Sequence, residues 1–275
     1  NQLTVDSSVT TGTTITIKVT AEETGNYNKE EQTFTVKVAD KNTATVTITG
    51  LPDTVTYGQE FILAASQTGD TGTSGKWSWD CNQEYFKLVE SNANTKTITL
   101  QAIKAGTPSK GITATYESGT HKGSATVNAV VEKKEVTVSG ITAENKEYDG
   151  GTTATVNASG ATITGIVSGD SLTITATGTF ADADVGNGKA VNLTLGALSG
   201  ASAGNYKLAA SGNQTTATAN ITAKNVSISA ATVNDKDYDG NANATVPSVT
   251  ITGVSSALSM GTDFDVTSAT FPDAD

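Results

Sequence analysis

The chain contains no arginine, and in 275 residues it has one cysteine, one methionine, one histidine, four prolines and two tryptophans. Each scarcity excludes something. The net charge of −11 comes from lysine set against aspartate and glutamate. The planar fork that grips phosphates is therefore missing, and no nucleic-acid partner is expected. A single cysteine, Cys81, permits no intrachain disulfide, so the fold must stand on packing. That suits the cytosol and equally the surface of Gram-positive bacteria, and leaves the compartment open. Cys81 and the lone His121 are too few soft ligands for a zinc site. No run approaches the roughly 18 apolar residues of a membrane helix, and no charged start before an apolar stretch marks a signal peptide. No membrane insertion is expected within this segment.

Aromatic residues make up 5% and charged residues 16%, while threonine, alanine, glycine, valine and serine dominate. β-Branched side chains suit a pleated surface, and no stretch sustains a 3.6-residue period, so the fold class is all-β. Apolar and polar residues alternate with period two over Thr13–Thr20, Gln32–Val38, Thr43–Gly50 and Ser171–Gly178, which predicts half-buried strands. Clusters such as "VSGD" and "VGNGK" between strands are turn chemistry, and Asn187–Gly188 predicts a polar hairpin. About seven strands in about ninety residues is the count of a small β-sandwich.

The same phrase occurs twice. "KEYDGGTTATV" starts at Lys146 and "KDYDGNANATV" at Lys236, placing Tyr148 and Tyr238 ninety positions apart (238 minus 148). The first copy runs on through "VSGDSLTITATGTFADADVGNGKAV" and "LSGASAGNYKLA". Its "GNYK" at Gly204 is echoed by "GNYN" at Gly25. A phrase recurring at domain spacing marks architecture before chemistry. A repeated tyrosine beside an Asp-Gly turn most simply buries its ring and uses its hydroxyl to hold the turn.

These phrases, as an ordered set, resemble the YDG-type repeat domain found in tandem in large bacterial surface and adhesin-like proteins. The resemblance implies an extracellular, repetitive, non-enzymatic role and brings no catalytic residues. The stretch between "GLPDTVTYGQEF" and "KGSATVNAVV" resembles a bacterial immunoglobulin-like domain. The expected organisation is the C-terminal part of a module at 1–40, an immunoglobulin-like module at 41–132, a complete YDG-type module at 133–223 and the N-terminal part of a second at 224–275. Short linkers are expected at Ala39–Asn42, Val131–Lys134 and Thr222–Asn225.

Motif by motif, the chemistry thins out. "GASAG" at Gly200 matches the nucleophile elbow of hydrolases, but Ser202 has no histidine after it and no helix pattern beneath it. "DADVGNGK" invites calcium through Asp182, Asp184 and Asn187, yet Gly186 and Leu193 stand where an EF-hand needs oxygen ligands. Neither Gly186 nor Gly75 opens a phosphate cradle, because Val191 and Asp70 occupy the glycine positions required. Trp77 and Trp79 share one strand face, either as a core pair or as an aromatic platform for a sugar. Lysines and asparagines are too scattered to name a pair for an internal amide crosslink. No enzyme activity, cofactor, metal site or catalytic residue is expected.

The sequence thus points to the stalk of an extracellular bacterial surface protein: tandem immunoglobulin-like sandwiches in an extended array that projects an adhesive or functional tip. Its expected partners are neighbouring modules. Two alternatives stay open. The middle module could bind host glycan or protein directly, or chains could join head to tail by strand complementation into a filament.

Overall fold

The computed structural model describes residues 9, 11–72, 74–90, 95–237, 239–254, 256, 258 and 260–270. Tyr238, the tyrosine of the second phrase, and residues 271–275 lie outside the described residues. The chain is all-β. Among the described residues the one helical turn is the 3-10 segment Ala203–Asn205. Two compact units divide the chain, at 1–132 and 133–275.

The first unit opens with an antiparallel hairpin, Thr14–Ala21 paired with Glu30–Lys37. Two four-stranded sheets follow. One orders Asn42–Thr43, His121–Val127, Ile112–Glu117 and Lys76–Asp80; the other orders Thr45–Thr49, Glu60–Thr68, Thr97–Ala102 and Phe86–Glu90. The strand predicted over 43–50 is divided between both sheets. Ala44, 3% exposed, turns into the core, so Asn42–Thr43 pairs parallel with His121–Lys122 while Thr45–Thr49 pairs antiparallel with Glu60–Thr68. Gly123 permits this crossing, since a Cβ there would sit 2.0 Å from the Ala44 carbonyl oxygen.

Period two does the rest. Phe61, Leu63 and Ala65 point inward from one sheet, and Ile112, Ala114 and Tyr116 from the other. Phe61 meets Phe86 edge to face at 6.0 Å, and Trp77 lies 5.1 Å from Tyr116, its cross-strand partner. The expected linker Val131–Lys134 is mostly strand. Val131, 2% exposed, pairs with Val55, and Lys134 already starts the next strand, so only Lys133 stands between.

In the second unit Lys134–Ser139 lies between Thr162–Thr164 and Tyr206–Leu208. A five-stranded sheet orders Lys146–Glu147, Thr216–Thr222, Gly186–Ser199, Thr173–Phe180 and Thr153–Ala154. Val138, Ile141 and Ile174 form one buried cluster; Ala154, Phe180, Val191, Ala219 and Ile221 form another. The "DADVGNGK" segment is the polar connection of an antiparallel hairpin, with Phe180 opposite Val191, and within it Asn187–Gly188 is a bulge against Thr216–Thr222 rather than the tip of the turn. Gly186 pairs with Ile221 but Lys189 with Ala219, and Gly188 absorbs the extra residue at φ 62°. The last pair is Ser227–Thr232 with Ser248–Thr252, and Asn243 bridges Thr270.

Candidate functional site

The repeated phrase is a clip built around its lysine. The Lys146 ammonium reaches the Asp149 carboxylate at 2.7 Å, the Gly151 carbonyl at 2.7 Å and the Thr153 carbonyl at 3.2 Å. Asp149 in turn accepts the Gly151 amide at 2.9 Å, closing an Asx turn. Gly150 takes φ 78° at the corner, which explains the glycine of the phrase. The second copy repeats the arrangement. Lys236 meets Asp239 at 2.5 Å and the Asn241 carbonyl at 2.9 Å, and Asp239 accepts the Asn241 amide at 3.1 Å. The lysine beside each aspartate, with the turn amide, holds Asp149 and Asp239 below the usual carboxylate value.

The expectation that the Tyr148 hydroxyl holds this turn is corrected. Tyr148 packs its half-buried ring against the Phe180 cluster and donates its backbone amide to Thr222; the holding groups are Lys146 and Asp149. The signal was in the sequence, since lysine stands two residues before tyrosine in both copies, but an i, i+3 lysine–aspartate pair reads as ordinary surface until the carbonyls are seen converging on it.

Sequence reasoning also missed two polar networks of similar make. In the first unit Asp70, its side chain 6% exposed, accepts the Ser118 hydroxyl at 2.6 Å, the Tyr116 hydroxyl at 2.9 Å and the Gly72 amide at 2.8 Å. His121 approaches it at 3.6 Å and gives its backbone amide to Ser118. In the second unit Asp170 accepts the Tyr206 hydroxyl at 2.5 Å and the Ser202 hydroxyl at 2.7 Å. Each ties a loop to a neighbouring strand through a buried tyrosine, and neither has a local sequence signature because its members lie 32 to 48 residues apart.

Asp, Ser and His meet around Asp70 without forming a hydrolytic triad. The Ser118 hydroxyl donates to the carboxylate itself, whereas a nucleophile must donate to the imidazole. Ser118, then Gly72 and Tyr116, hold the Asp70 carboxyl below its usual 3.8. A folded pKa below the unfolded one gives stability that is full above about pH 3.8 and lost as pH falls through the folded value. Burial and the Asp70 hydrogen bond raise Tyr116 above 10.0, so its contribution is full below that and lost at higher alkaline pH. Trp77 and Trp79 are the only tryptophans, so their emission reports this unit. Its midpoint temperature should fall steeply below about pH 3.8 in the parent and more shallowly in Asp70→Asn. Superimposable acid limbs would remove Asp70 from the account.

The remaining sequence candidates resolve into structure. Ser202 gives its hydroxyl to Asp170. In the "DADVGNGK" loop Lys189 occupies the place offered to calcium: its ammonium binds Asp182, which also takes the Asp184 amide, and holds that carboxyl low. No group of three His, Cys, Asp or Glu residues that could hold a metal occurs among the described residues. Lys236 reaches the Asn241 side-chain oxygen at 2.8 Å, but it is already paired with Asp239 at the surface. Trp77 is buried at 6%, and Trp79 packs half-covered against the same cluster with its indole N–H on the Thr95 carbonyl at 3.2 Å. Burial and the neighbouring Asp80 push the Cys81 thiol up, away from reactivity. Beside Trp79, between the edge strands Lys76–Asp80 and Phe86–Glu90, runs a groove of about 380 Å³ that includes Asp80, Gln83 and Lys87.

The family model of the YDG domain matches residues 132–217. No curated protein matches the chain. Among solved structures, the three N-terminal domains of the bacteriophage RB49 Highly Immunogenic Outer Capsid protein (Hoc) are similar at 16% identity over 78% of this chain and 72% of that one, with a TM-score of 0.26. Domains 4–9 of the surface layer protein SbsC are similar at 16% identity over 83% of this chain and 39% of that one, with a TM-score of 0.23. No helix among the described residues is long and apolar enough to cross a membrane.

Proposed function

We propose that the chain is a non-enzymatic stalk segment of an extracellular bacterial surface protein, a string of immunoglobulin-like sandwiches that carries an adhesive or functional tip outward. The observation that carries this reading is what the repeated side chains do. In both copies lysine, aspartate and glycine bind their own turn, and these are the residues the chain repeats. A spacer can be copied without limit, whereas a binding site needs one good copy. The mechanism is geometric: modules 41–132 and 133–223 resist extension one by one, and short connections such as Lys133 limit bending.

Single-molecule stretching of the 275-residue chain tests this. Two separate force peaks are expected, each releasing roughly 30 nm as a module of about ninety residues extends at about 3.5 Å per residue. Extension without force peaks would overturn the stalk reading.

A second reading rests on the groove beside Trp79, which combines an aromatic ring with a carboxylate, an amide and an ammonium, the groups that recognise a glycan. Saturable binding on a glycan array, abolished by Trp79→Ala with the fold retained, would favour it over the stalk.

A further inference from the structure

Lys76–Asp80 is the last strand of its sheet. Ile112–Glu117 pairs with one side of it through five consecutive residues without a bulge, and no described strand takes the other side. Such an edge presents a row of N–H and C=O groups to any extended chain, and edges are commonly blunted by proline, by a bulge or by being very short. At the opposite edge of the sheet Asn42–Thr43 is two residues long, and the neighbouring edge strand Phe86–Glu90 carries a bulge between Leu88 and Glu90. Lys76–Asp80 has none of these obstacles.

The order of residues along this edge is palindromic. "KWSWD" has a cation at one end, an anion at the other, a serine at the centre and a tryptophan on either side of it. An antiparallel partner runs in reverse, so a second "KWSWD" laid along the edge with Ser78 opposite Ser78 sets Lys76 across from Asp80 at both ends and Trp77 across from Trp79. Opposed residues of an antiparallel pair point to the same side. Lys76, Ser78 and Asp80 are exposed while Trp77 and Trp79 turn inward, so outer rows meet outer rows and inner rows meet inner rows. The backbone fits as well. Hydrogen-bonding groups alternate sides along a strand, and this register opposes even-numbered residues with even and odd with odd, so outward groups meet outward groups.

Charge favours the same register. Lys76 has no ion-pair partner among the described residues, and its cross-strand neighbour Glu117 is held by Lys41 at 2.7 Å. The Asp80 side chain stays 67% exposed with Lys110 on its two oxygens at 2.7 and 2.8 Å, and a carboxylate has lone pairs for a second ammonium. The strand Phe86–Glu90 borders one groove together with Trp79 and Asp80, and there Leu88 is 43% and Val89 40% exposed, so apolar surface lies beside the charged edge.

We propose that Lys76–Asp80 is a self-recognition edge, on which a second copy of this chain lays its own Lys76–Asp80 antiparallel about Ser78. Two four-stranded sheets then become one sheet of eight strands, with Lys76 of each copy on Asp80 of the other. The contact is isologous, so it closes at a dimer. This goes beyond the stalk reading: segments pair side by side through their 41–132 regions. A single chain gives its force peaks with or without a partner, so either idea can fail alone.

Sedimentation of the 275-residue chain across a concentration series tests the proposal, at about 0.15 M salt so that the net charge of −11 is screened beyond about 8 Å. The parent is expected to double its mass and grow no further. Lys76→Glu sets carboxylate against carboxylate at both ends of the register, and Asp80→Lys sets ammonium against ammonium. Both positions are exposed, and each variant should sediment as a monomer with unchanged circular dichroism. Mixed together the two should form a one-to-one dimer, because every carboxylate faces an ammonium again, and the double variant should dimerise by itself. The register has its own readout. In a Cys81→Ser background, Ser78→Cys should link two chains when treated with oxidised glutathione, since opposed Cα atoms about 4.5–5.5 Å apart lie within disulfide reach. Ser124→Cys, exposed two strands away, should not. A parent that stays monomeric at every concentration, association that survives Lys76→Glu, a mixture that fails to dimerise, or linking of Ser124→Cys as readily as Ser78→Cys would each overturn it.

Discussion

Replacing Phe180 by alanine should remove about 3–5 kcal/mol of stability from the second unit, the range for truncating a buried aromatic that leaves a cavity. Phe180 is 1% exposed and sits among Ala154, Val191, Ala219 and Ile221, side chains from three other strands. These strands cannot close over the gap without shifting register. At Gly178 a Cβ would already lie 2.5 Å from Val156 and 2.9 Å from Val191, so there is little slack on that strand. The loss should also reach the YDG turn, because the Lys146 ammonium lies 5.6 Å above the Phe180 ring while holding Asp149. Exchange of the Gly151 amide, which Asp149 accepts, should therefore speed up in the variant. Phe180→Leu, closer in volume, should lose appreciably less. Denaturant unfolding read by backbone circular dichroism measures the shift, and a loss below about 1 kcal/mol would mean that Phe180 is not the keystone of this cluster.

How far the sequence carried the fold depends on how local each cue is. Alternation over Thr13–Thr20, Gln32–Val38 and Ser171–Gly178 found strands that the structure sets at Thr14–Ala21, Glu30–Lys37 and Thr173–Phe180, because a half-buried strand writes its faces into consecutive residues. The same rule could not see Ala44 carrying a strand from one sheet to the other, since both halves keep the alternation and only Gly123, far along the chain, permits the crossing. Asn187–Gly188 does lie in a hairpin connection, between Thr173–Phe180 and Gly186–Ser199, but glycine at positive φ serves turn and bulge alike, and only the register of Thr216–Thr222 shows this pair to be a bulge. The site divides in the same way. Lysine, aspartate and glycine of the repeated phrase lie within six residues and are visible as a repeat, but spacing alone does not show that the lysine, and not the neighbouring tyrosine, holds the turn. The networks of Asp70 and Asp170 join residues brought together only by folding, so no pattern along the chain could show them.

Asp170→Ala should cost the same unit about 2–4 kcal/mol, from losing hydrogen bonds to a charged acceptor. Tyr206 is 2% exposed, and its strand Tyr206–Leu208 pairs parallel with Lys134–Val136. Its hydroxyl donates to Asp170 at 2.5 Å and accepts the Val167 amide at 2.9 Å, so one phenol fixes both ends of the Val167–Asp170 turn, itself closed by the Asp170 amide on the Val167 carbonyl. Tyr206→Phe should cost less than Asp170→Ala, because the carboxylate keeps Ser202. The double variant should fall short of the sum by roughly 0.5–3 kcal/mol, the coupling of groups in one network. Additive losses, or an Asp170→Ala cost within about 0.5 kcal/mol, would show the turn to be held by its backbone alone.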